Sequence, residues 1–287
     1  MYEQLQAFLN GRVHQCVSGK EGSCQKIEKK KEMHNNRNSE IVKAEAKGFV
    51  RDKIDSDDHT VVLYDVHFRY FIKQKHKFFV EEEIERREAI FYKETLMKDD
   101  ELPMFLENST LPLRKDEEIE QERVRYRYNR RLAVQYAERW WNSYNPKYVK
   151  FEVDCTNYIS QCLHAGGAPM RGYPVKSKGW WMQNQQWSYS WSVANSLRWY
   201  LSSSRSGLRA REVQDPSELQ LGDVICYDFQ GDGRFDHTTI VTGKDAFGMP
   251  LVNAHSTNSR MRYWSYEDST AYTPNIQYKF FTIVDDE

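Results

Sequence analysis

The sequence lacks long apolar runs, and it lacks an excess of charge of either sign. No stretch approaches the ~20 apolar residues of a membrane span, and the first residues, MYEQLQAFLNGRVHQC, lack the basic segment and apolar run of a signal peptide. The 41 lysines and arginines nearly cancel the 42 aspartates and glutamates, so no overall field favours nucleic acid or an anionic membrane. We therefore expect a globular, cytoplasmic protein that recognises its partners at local sites.

Cysteine is also scarce. The five cysteines are Cys16, Cys24, Cys155, Cys162 and Cys226. They cannot all pair with one another, and their scatter differs from the dense framework of a small secreted scaffold, so a reducing compartment is the simpler interpretation. His14 and His34 lie near Cys16 and Cys24, but this spacing lacks the close cysteine pair of a zinc knuckle, and we expect no metal there.

The chain is long enough for two domains, and its patterning predicts a first one of β structure. Over residues 1–40 we predict a short helix at 2–10 and then a mobile segment without apolar period. Apolar residues at the even positions from Val62 to Ile72 predict a strand within a β-rich domain over 41–100. The stretch 78–97 fits a further strand, which we favour, or an amphipathic helix.

This first domain resembles cystatin-like or NTF-like accessory domains in its expected meander, although no motif identifies a family. Prolines and a run of charges predict a linker over 101–120. The second domain then covers 121–287, and we expect a chain that begins near Gln121 to fold alone.

The second domain opens with two predicted helices. Apolar residues at spacings of three and four from Arg130 to Trp141 predict the first helix. In the second, Asp154 is a plausible N-cap, which places Cys155 in the first turn. Four short apolar runs predict strands at 221–229, 237–242, 250–254 and 277–284.

Cys155 is the candidate nucleophile. The positive end of a helix and a neighbouring imidazolium both favour a thiolate, whereas an isolated helical cysteine is usually a small buried hydrophobe, as we expect for Cys162 and Cys226. His237 begins a strand after a glycine turn and could serve as the base. Asn253 and His255 share one face of the next strand, so either could orient His237.

One acidic segment before His237 partly resembles a calcium-binding loop. It begins at Asp228, but Gln230 occupies the third position and Thr239 stands where the bidentate glutamate belongs. We interpret the segment as a hairpin turn.

Four motifs in order carry a family resemblance. They are Asp154-Cys155, Leu221-Gly222-Asp223-Val224-Ile225, Asp236-His237 and Val252-Asn253-Ala254-His255. Together they resemble the NlpC-type branch of the papain-like superfamily. The run DCTNYISQCL and the preceding YNRRLAVQYAERW resemble, more closely, the bacterial putative amidase domain family.

The resemblance covers about residues 125–287 and implies a papain-like α+β fold with an antiparallel sheet. It implies Cys155 as nucleophile, His237 as general base and then acid, and Asn253 or His255 as the orienting residue. Thr156-Asn157 stand where Ser-Gly usually follows the cysteine, which leaves the substrate open. The family's usual targets are amide bonds in peptides or bacterial cell-wall peptides, and the chemistry needs no cofactor.

Two further points remain open in the sequence. The oxyanion hole should include the Cys155 backbone N–H and a second donor, for which Tyr148 is one candidate. The alternative function is a catalytically inactive glycan- or peptide-binding module that uses a tryptophan-rich cleft. Its stacking residues would be Trp180, Trp181, Trp187 and Trp191, although tryptophans of this kind are equally often core.

Overall fold

The computed structural model describes residues 1–18, 22, 24–103 and 125–286. The chain divides into two compact units, Met1–Met104 with Thr257–Ala271 and Phe105–Ser256 with Tyr272–Glu287. The sequence-based division placed all of 257–271 in the second domain, whereas this segment clusters with the first unit. Residues 104–120 of the predicted linker lie outside the described residues.

The first unit begins with two helices, α1 at Tyr2–Val17 and α2 at Gln25–Asn36. The predicted short helix therefore extends beyond residue 10, and the predicted mobile segment is wrong over α2. The core-facing positions of these helices include the charged residues Arg12 and Lys30, which are buried. Because such residues interrupt an apolar period, the helical pattern is hidden from hydropathy.

Four antiparallel strands follow in the first unit. They are β1 at Ser39–Ser56, β2 at His59–Gln74, β3 at Lys77–Tyr92 and β4 at Thr95–Glu101. Each pairs with the next along the chain. Alternate residues of β2 are buried, which confirms the predicted period of two, and β3 confirms the strand that we favoured over a helix. The cystatin-like or NTF-like likeness stays a prediction.

Among its described residues, the second unit contains a 3₁₀ helix at Pro216–Glu218 and four α-helices. They are α3 at Arg130–Trp140, α4 at Cys155–Ala165, α5 at Tyr189–Ser192 and α6 at Ala194–Ser203. Asn129 caps α3, since its side chain accepts a hydrogen bond from the Leu132 N–H. Asp154 holds the N-cap position of α4 as predicted, but its carboxylate makes no capping bond. Cys155 is accordingly the first residue of the helix.

The strands of the second unit form one antiparallel sheet and one small hairpin. The hairpin joins β5 at Met182–Gln183 to β6 at Gln186–Trp187. The sheet contains β7 at Arg209–Val213, β8 at Val224–Asp228, β9 at His237–Lys244, β10 at Pro250–Ala254 and β12 at Gln277–Val284. Its order is β10-β9-β8-β12-β7. The four predicted strands are confirmed, and β7 was not predicted.

The remaining strand, β11 at Ser259–Tyr263, explains why 257–271 joins the first unit. Ser259 pairs with Glu83 of β3 in an antiparallel register. Further along the segment, the Asp268 carboxylate contacts the Lys30 ammonium at 2.7 Å and the Arg262 guanidinium at 2.7 Å. The segment is therefore fixed to the first unit by both backbone and charge. Among the described residues, no helix combines the length and apolarity needed to cross a membrane.

Candidate active site

The helix that begins with Cys155 and the strand that begins with His237 meet at their N-terminal ends. Cys155 begins α4 and His237 begins β9, and both are about 1% exposed. The residues that follow them are in contact, because the hydroxyls of Thr156 and Thr238 lie 3.2 Å apart. The segments that carry the predicted nucleophile and base are therefore adjacent in the fold.

A tight turn between β8 and β9 precedes His237. The Asp228 carboxylate accepts the backbone N–H groups of Gly231 and Gly233, each at 2.7 Å. Both glycines have positive φ, +73° and +89°, a conformation that glycine adopts without strain. The interpretation as a hairpin turn is confirmed, since the carboxylate is used by backbone donors. Beyond the turn, the His237 ring lies 5.6 Å from the Tyr227 ring, centroid to centroid.

A buried carboxylate–imidazole pair includes Asp154, the residue directly before the predicted nucleophile Cys155. The Asp154 carboxylate is 2.8 Å from Nδ1 of His255, and Nε2 of His255 is 2.8 Å from the Trp140 carbonyl oxygen. The imidazole stacks on Tyr158, one turn into α4, with ring centroids 3.9 Å apart. His255 therefore joins the end of α3, the N-terminus of α4 and the strand β10.

Asn157 extends this network to the tryptophan-rich segment. Its amide nitrogen donates to the second carboxylate oxygen of Asp154 at 2.8 Å, and its carbonyl oxygen accepts from the Trp191 indole N–H at 2.8 Å. This gives a structural reason for the departure from the Ser-Gly pattern, because a glycine at Asn157 would remove both bonds. The link between residues 154 and 255 was not visible in the sequence, since the two lie far apart along the chain.

Asn253 lies in β10, where it pairs with Ile240 of the neighbouring strand β9. Its side-chain oxygen accepts from the Thr242 hydroxyl at 2.7 Å, and its amide nitrogen donates to Glu138 at 2.8 Å. The orienting role that the sequence assigned to Asn253 or His255 stays a prediction for both residues.

Three other cysteines belong to the hydrophobic cores of the two units. Cys162 and Cys226 are fully buried, and burial raises the pKa of each thiol well above its ordinary value. Their predicted core role is confirmed. Burial also raises the pKa of Cys16 to about 12. Near it, Nδ1 of His34 hydrogen-bonds the Ser39 hydroxyl at 2.9 Å, and the described residues contain no group of three or more side chains arranged to hold a metal ion.

The tryptophan-rich segment is mostly core. Trp180, Trp181 and Trp191 are at most 1% exposed, and only Trp187 is half-buried. Trp180 and Trp191 pack together with ring centroids 4.8 Å apart. Three of the four residues proposed for a stacking surface therefore cannot present their faces to a ligand, and the binding-module alternative loses its structural basis.

These features define an α+β domain with a cysteine and a histidine at the meeting of a helix and an antiparallel sheet. Residues 127–281 match the model of the family described as "Putative amidase domain", and the chain belongs to this family. The uncharacterized protein YhbB of Bacillus subtilis strain 168 is 49% identical over 292 residues, which cover 99% of this chain and 94% of that protein. The uncharacterized protein YjcM of the same organism is 33% identical over 140 residues, covering 46% of this chain and 31% of YjcM. No solved structure matches the chain.

The match confirms the predicted amidase family for the second half of the chain. Placement within the NlpC-type branch of the papain-like superfamily stays a prediction.

Proposed function

We propose that the chain is a cysteine-dependent amide hydrolase of papain-like, NlpC-type fold, with Cys155 as nucleophile and His237 as general base and acid. The hydroxyl contact between Thr156 and Thr238 carries the proposal, because it joins the start of α4, which begins with Cys155, to the start of β9, which begins with His237. Both residues lie inside the region that matches the amidase family.

The proposed reaction is acyl transfer in two steps. The Cys155 thiolate attacks the amide carbonyl carbon, and the imidazolium of His237 protonates the amine nitrogen as the C–N bond breaks. A thioester to Cys155 remains. Water then attacks this thioester while His237 takes a proton from it, the C–S bond breaks, and the thiolate returns.

Two features support the charge changes in these steps. The partial positive charge at the N-terminus of α4 favours the thiolate, as does a protonated His237 beside it. The Cys155 backbone N–H can donate to the oxyanion. Tyr148 remains the candidate for the second donor: its ring stacks on Trp191 at 5.9 Å, and burial raises the pKa of Tyr148, so its hydroxyl keeps its proton at neutral pH.

The substrates that we propose are peptides or bacterial cell-wall peptides. The test is to incubate the full chain with cell-wall peptides, unmodified peptides and simple amides, and to follow release of amine by mass spectrometry. We expect hydrolysis of at least one class by the wild type, and loss of at least a thousandfold in Cys155→Ala and His237→Ala. Cys24→Ala is the control, because Cys24 lies outside the second unit. Wild-type turnover by Cys155→Ala would overturn the proposal.

A further inference from the structure

Three buried nitrogen donors on α6 lack an acceptor among the described residues. They are Nε and Nη1 of Arg198 and Nε1 of Trp199. The guanidinium of Arg198 is fixed by two rings, since its carbon lies 3.9 Å from the centre of the Trp199 ring and 5.2 Å from that of Phe235. Buried donors are normally bonded, so three adjacent ones without acceptors point to a missing acceptor-rich group.

The residue after Phe235 is Asp236, whose carboxylate has a buried acceptor without a described donor. Asp236 is 8% exposed. Its carboxylate accepts the Phe229 backbone N–H, but its Oδ2 is buried with no donor among the described residues. Arg198 therefore packs on Phe235, and Asp236 is the residue that follows Phe235. In the described part of the chain, Arg198 has donors without acceptors, whereas Asp236 has an acceptor without a donor.

Both groups contact or belong to the segment that leads into His237. Asp236 directly precedes His237. On the other side, the Phe235 N–H donates to the Asn195 side chain of α6 at 3.3 Å, which joins that helix to the start of β9.

We propose that Arg198, Trp199 and Asp236 form the subsite for an amino-acid leaving group, with its carboxylate on Arg198 and Trp199 and its N–H on Asp236. One ligand then satisfies both sets of unpaired groups, whereas an anion alone leaves Asp236 unpaired and a cation alone leaves Arg198 unpaired. Arg198 suits a carboxylate because its planar fork of donors can bind two oxygens.

The inference rests on the proposed function and narrows its substrate class. The preferred substrates are peptides or N-acyl amino acids in which the residue after the scissile bond carries a free carboxylate. Cleavage transfers the acyl group to Cys155 and releases that residue as a free amino acid, whose nitrogen has taken a proton from His237. Arg198 and Asp236 are specificity residues in this scheme.

The test measures binding rather than turnover. The full chain carrying Cys155→Ala is titrated with N-acetyl-alanyl-alanine and with its C-terminal amide, by calorimetry. We expect the free acid to bind at least tenfold more tightly, because charge-assisted hydrogen bonds to Arg198 are lost with the amide. Adding Arg198→Gln should remove most of this preference, and Asp236→Asn should weaken both ligands. Arg211→Gln, an exposed change on β7, is the matched control and should leave the preference intact.

Equal binding of acid and amide by the parent, or a preference that survives Arg198→Gln, overturns the subsite and leaves water as the partner of the buried donors. Arg198→Lys keeps the charge but not the fork, and it is used with circular dichroism if Arg198→Gln does not fold. If neither variant folds, the subsite is tested by two other results: the preference of the parent for the free acid, and the weaker binding of both ligands that we expect for Asp236→Asn. Acid preference without hydrolysis of any substrate by the wild type would reject the proposed function and retain the subsite.

Discussion

At the scale of single residues, His255 is held between two acceptors. Asp154 offers a carboxylate oxygen to Nδ1 and Trp140 offers a carbonyl oxygen to Nε2. The ring therefore ties the N-cap residue of α4 to the end of α3. The sequence showed His255 only as a possible partner of His237, whereas the structure gives it a role in holding the start of α4.

The first prediction concerns this pair. His255→Ala leaves the buried Asp154 carboxylate without its imidazole partner, so we expect a loss of about 1–3 kcal/mol in the free energy of unfolding. His164→Ala is the control, because that histidine lies at the other end of α4 and contacts the Ala168 carbonyl. Urea denaturation of both variants measures the difference. Equal, small losses would show that the Asp154–His255 pair does not stabilise the helix start.

The second prediction concerns the reactivity of the cysteines. Iodoacetamide at neutral pH should label Cys155 at least tenfold faster than the half-buried Cys24, because the helix N-terminus and His237 favour the thiolate. Cys16 should remain unlabelled, since burial raises its pKa to about 12. Peptide mapping by mass spectrometry gives the three rates. His237→Ala should remove the advantage of Cys155, and uniform labelling of the three thiols would argue against an activated nucleophile.

The third prediction follows from the carboxyl of Asp236. Burial raises its pKa from 3.8 to about 6, so between these values the folded protein binds more protons than the unfolded chain. Stability therefore falls as the pH rises through this window. We expect Asp236→Asn to be more stable than the wild type by roughly 1–2 kcal/mol near pH 7, allowing for solvent screening, and to show little gain below about pH 4.

Urea denaturation at both pH values measures this difference. Asp232→Asn, an exposed change in the same turn, is the control and should show no such dependence. A gain from Asp236→Asn that is equal at both pH values would contradict the assigned protonation.

At the scale of elements, hydropathy predicts those whose buried face is apolar. The strands β2, β9 and β12 and the helices α3 and α4 belong to this group. In the first unit, by contrast, Glu81, Glu83 and Glu85 occupy alternate buried positions of β3, and Arg12, Lys26 and Lys30 of the helices contact them. Lys26 contacts Glu85 at 2.8 Å. A face built from paired charges has no apolar period, which is why α2 was predicted as a mobile segment.

In the candidate site, too, the sequence predicts features that depend on local patterns and misses those that depend on distant contacts. Cys155 and His237 were found because a helix start, a strand start and their order in the chain are visible in sequence. The bonds of Asp154 and Asn157 were not, because they depend on residues that only the fold brings together. Arg198 was missed for a related reason, since stacked arginines leave no spacing that a sequence motif can show.

The fourth prediction tests the charged face of α2. Lys30 is 1% exposed and contacts Glu81 and Asp268. Lys30→Ala leaves the buried Glu81 carboxylate without its ammonium partner and leaves Asp268 with Arg262 alone, so it should cost about 3–5 kcal/mol. Lys29→Ala, an exposed change one residue earlier, should stay within about 0.5 kcal/mol of the wild type. Chemical denaturation compares the two. Similar small effects would mean that the ion pairs of Lys30 contribute nothing to the fold.

At the scale of the whole molecule, the chain enters the first unit twice. Thr257–Ala271 leaves the second unit after Ser256, adds β11 to β3, and returns at Tyr272. The sequence favoured a second domain that folds alone from about Gln121. The segment changes this expectation, because a fragment without the first 103 residues has no β3 to pair with β11 and no Lys30 to pair with Asp268.

The fifth prediction is that fragment 125–287 is unstable alone and is restored by fragment 1–103. We expect the isolated fragment to melt at least 10 °C below the full chain, since it loses a buried ion pair and a strand pairing. Mixing the two fragments should recover a cooperative transition, measured by circular dichroism and size-exclusion chromatography. Asp268→Ala in the longer fragment is the matched variant and should weaken this recovery, because it removes the partner of Lys30. If fragment 125–287 alone melts cooperatively at the temperature of the full chain, the segment 257–271 does not depend on the first unit, and the second domain is autonomous as the sequence suggested.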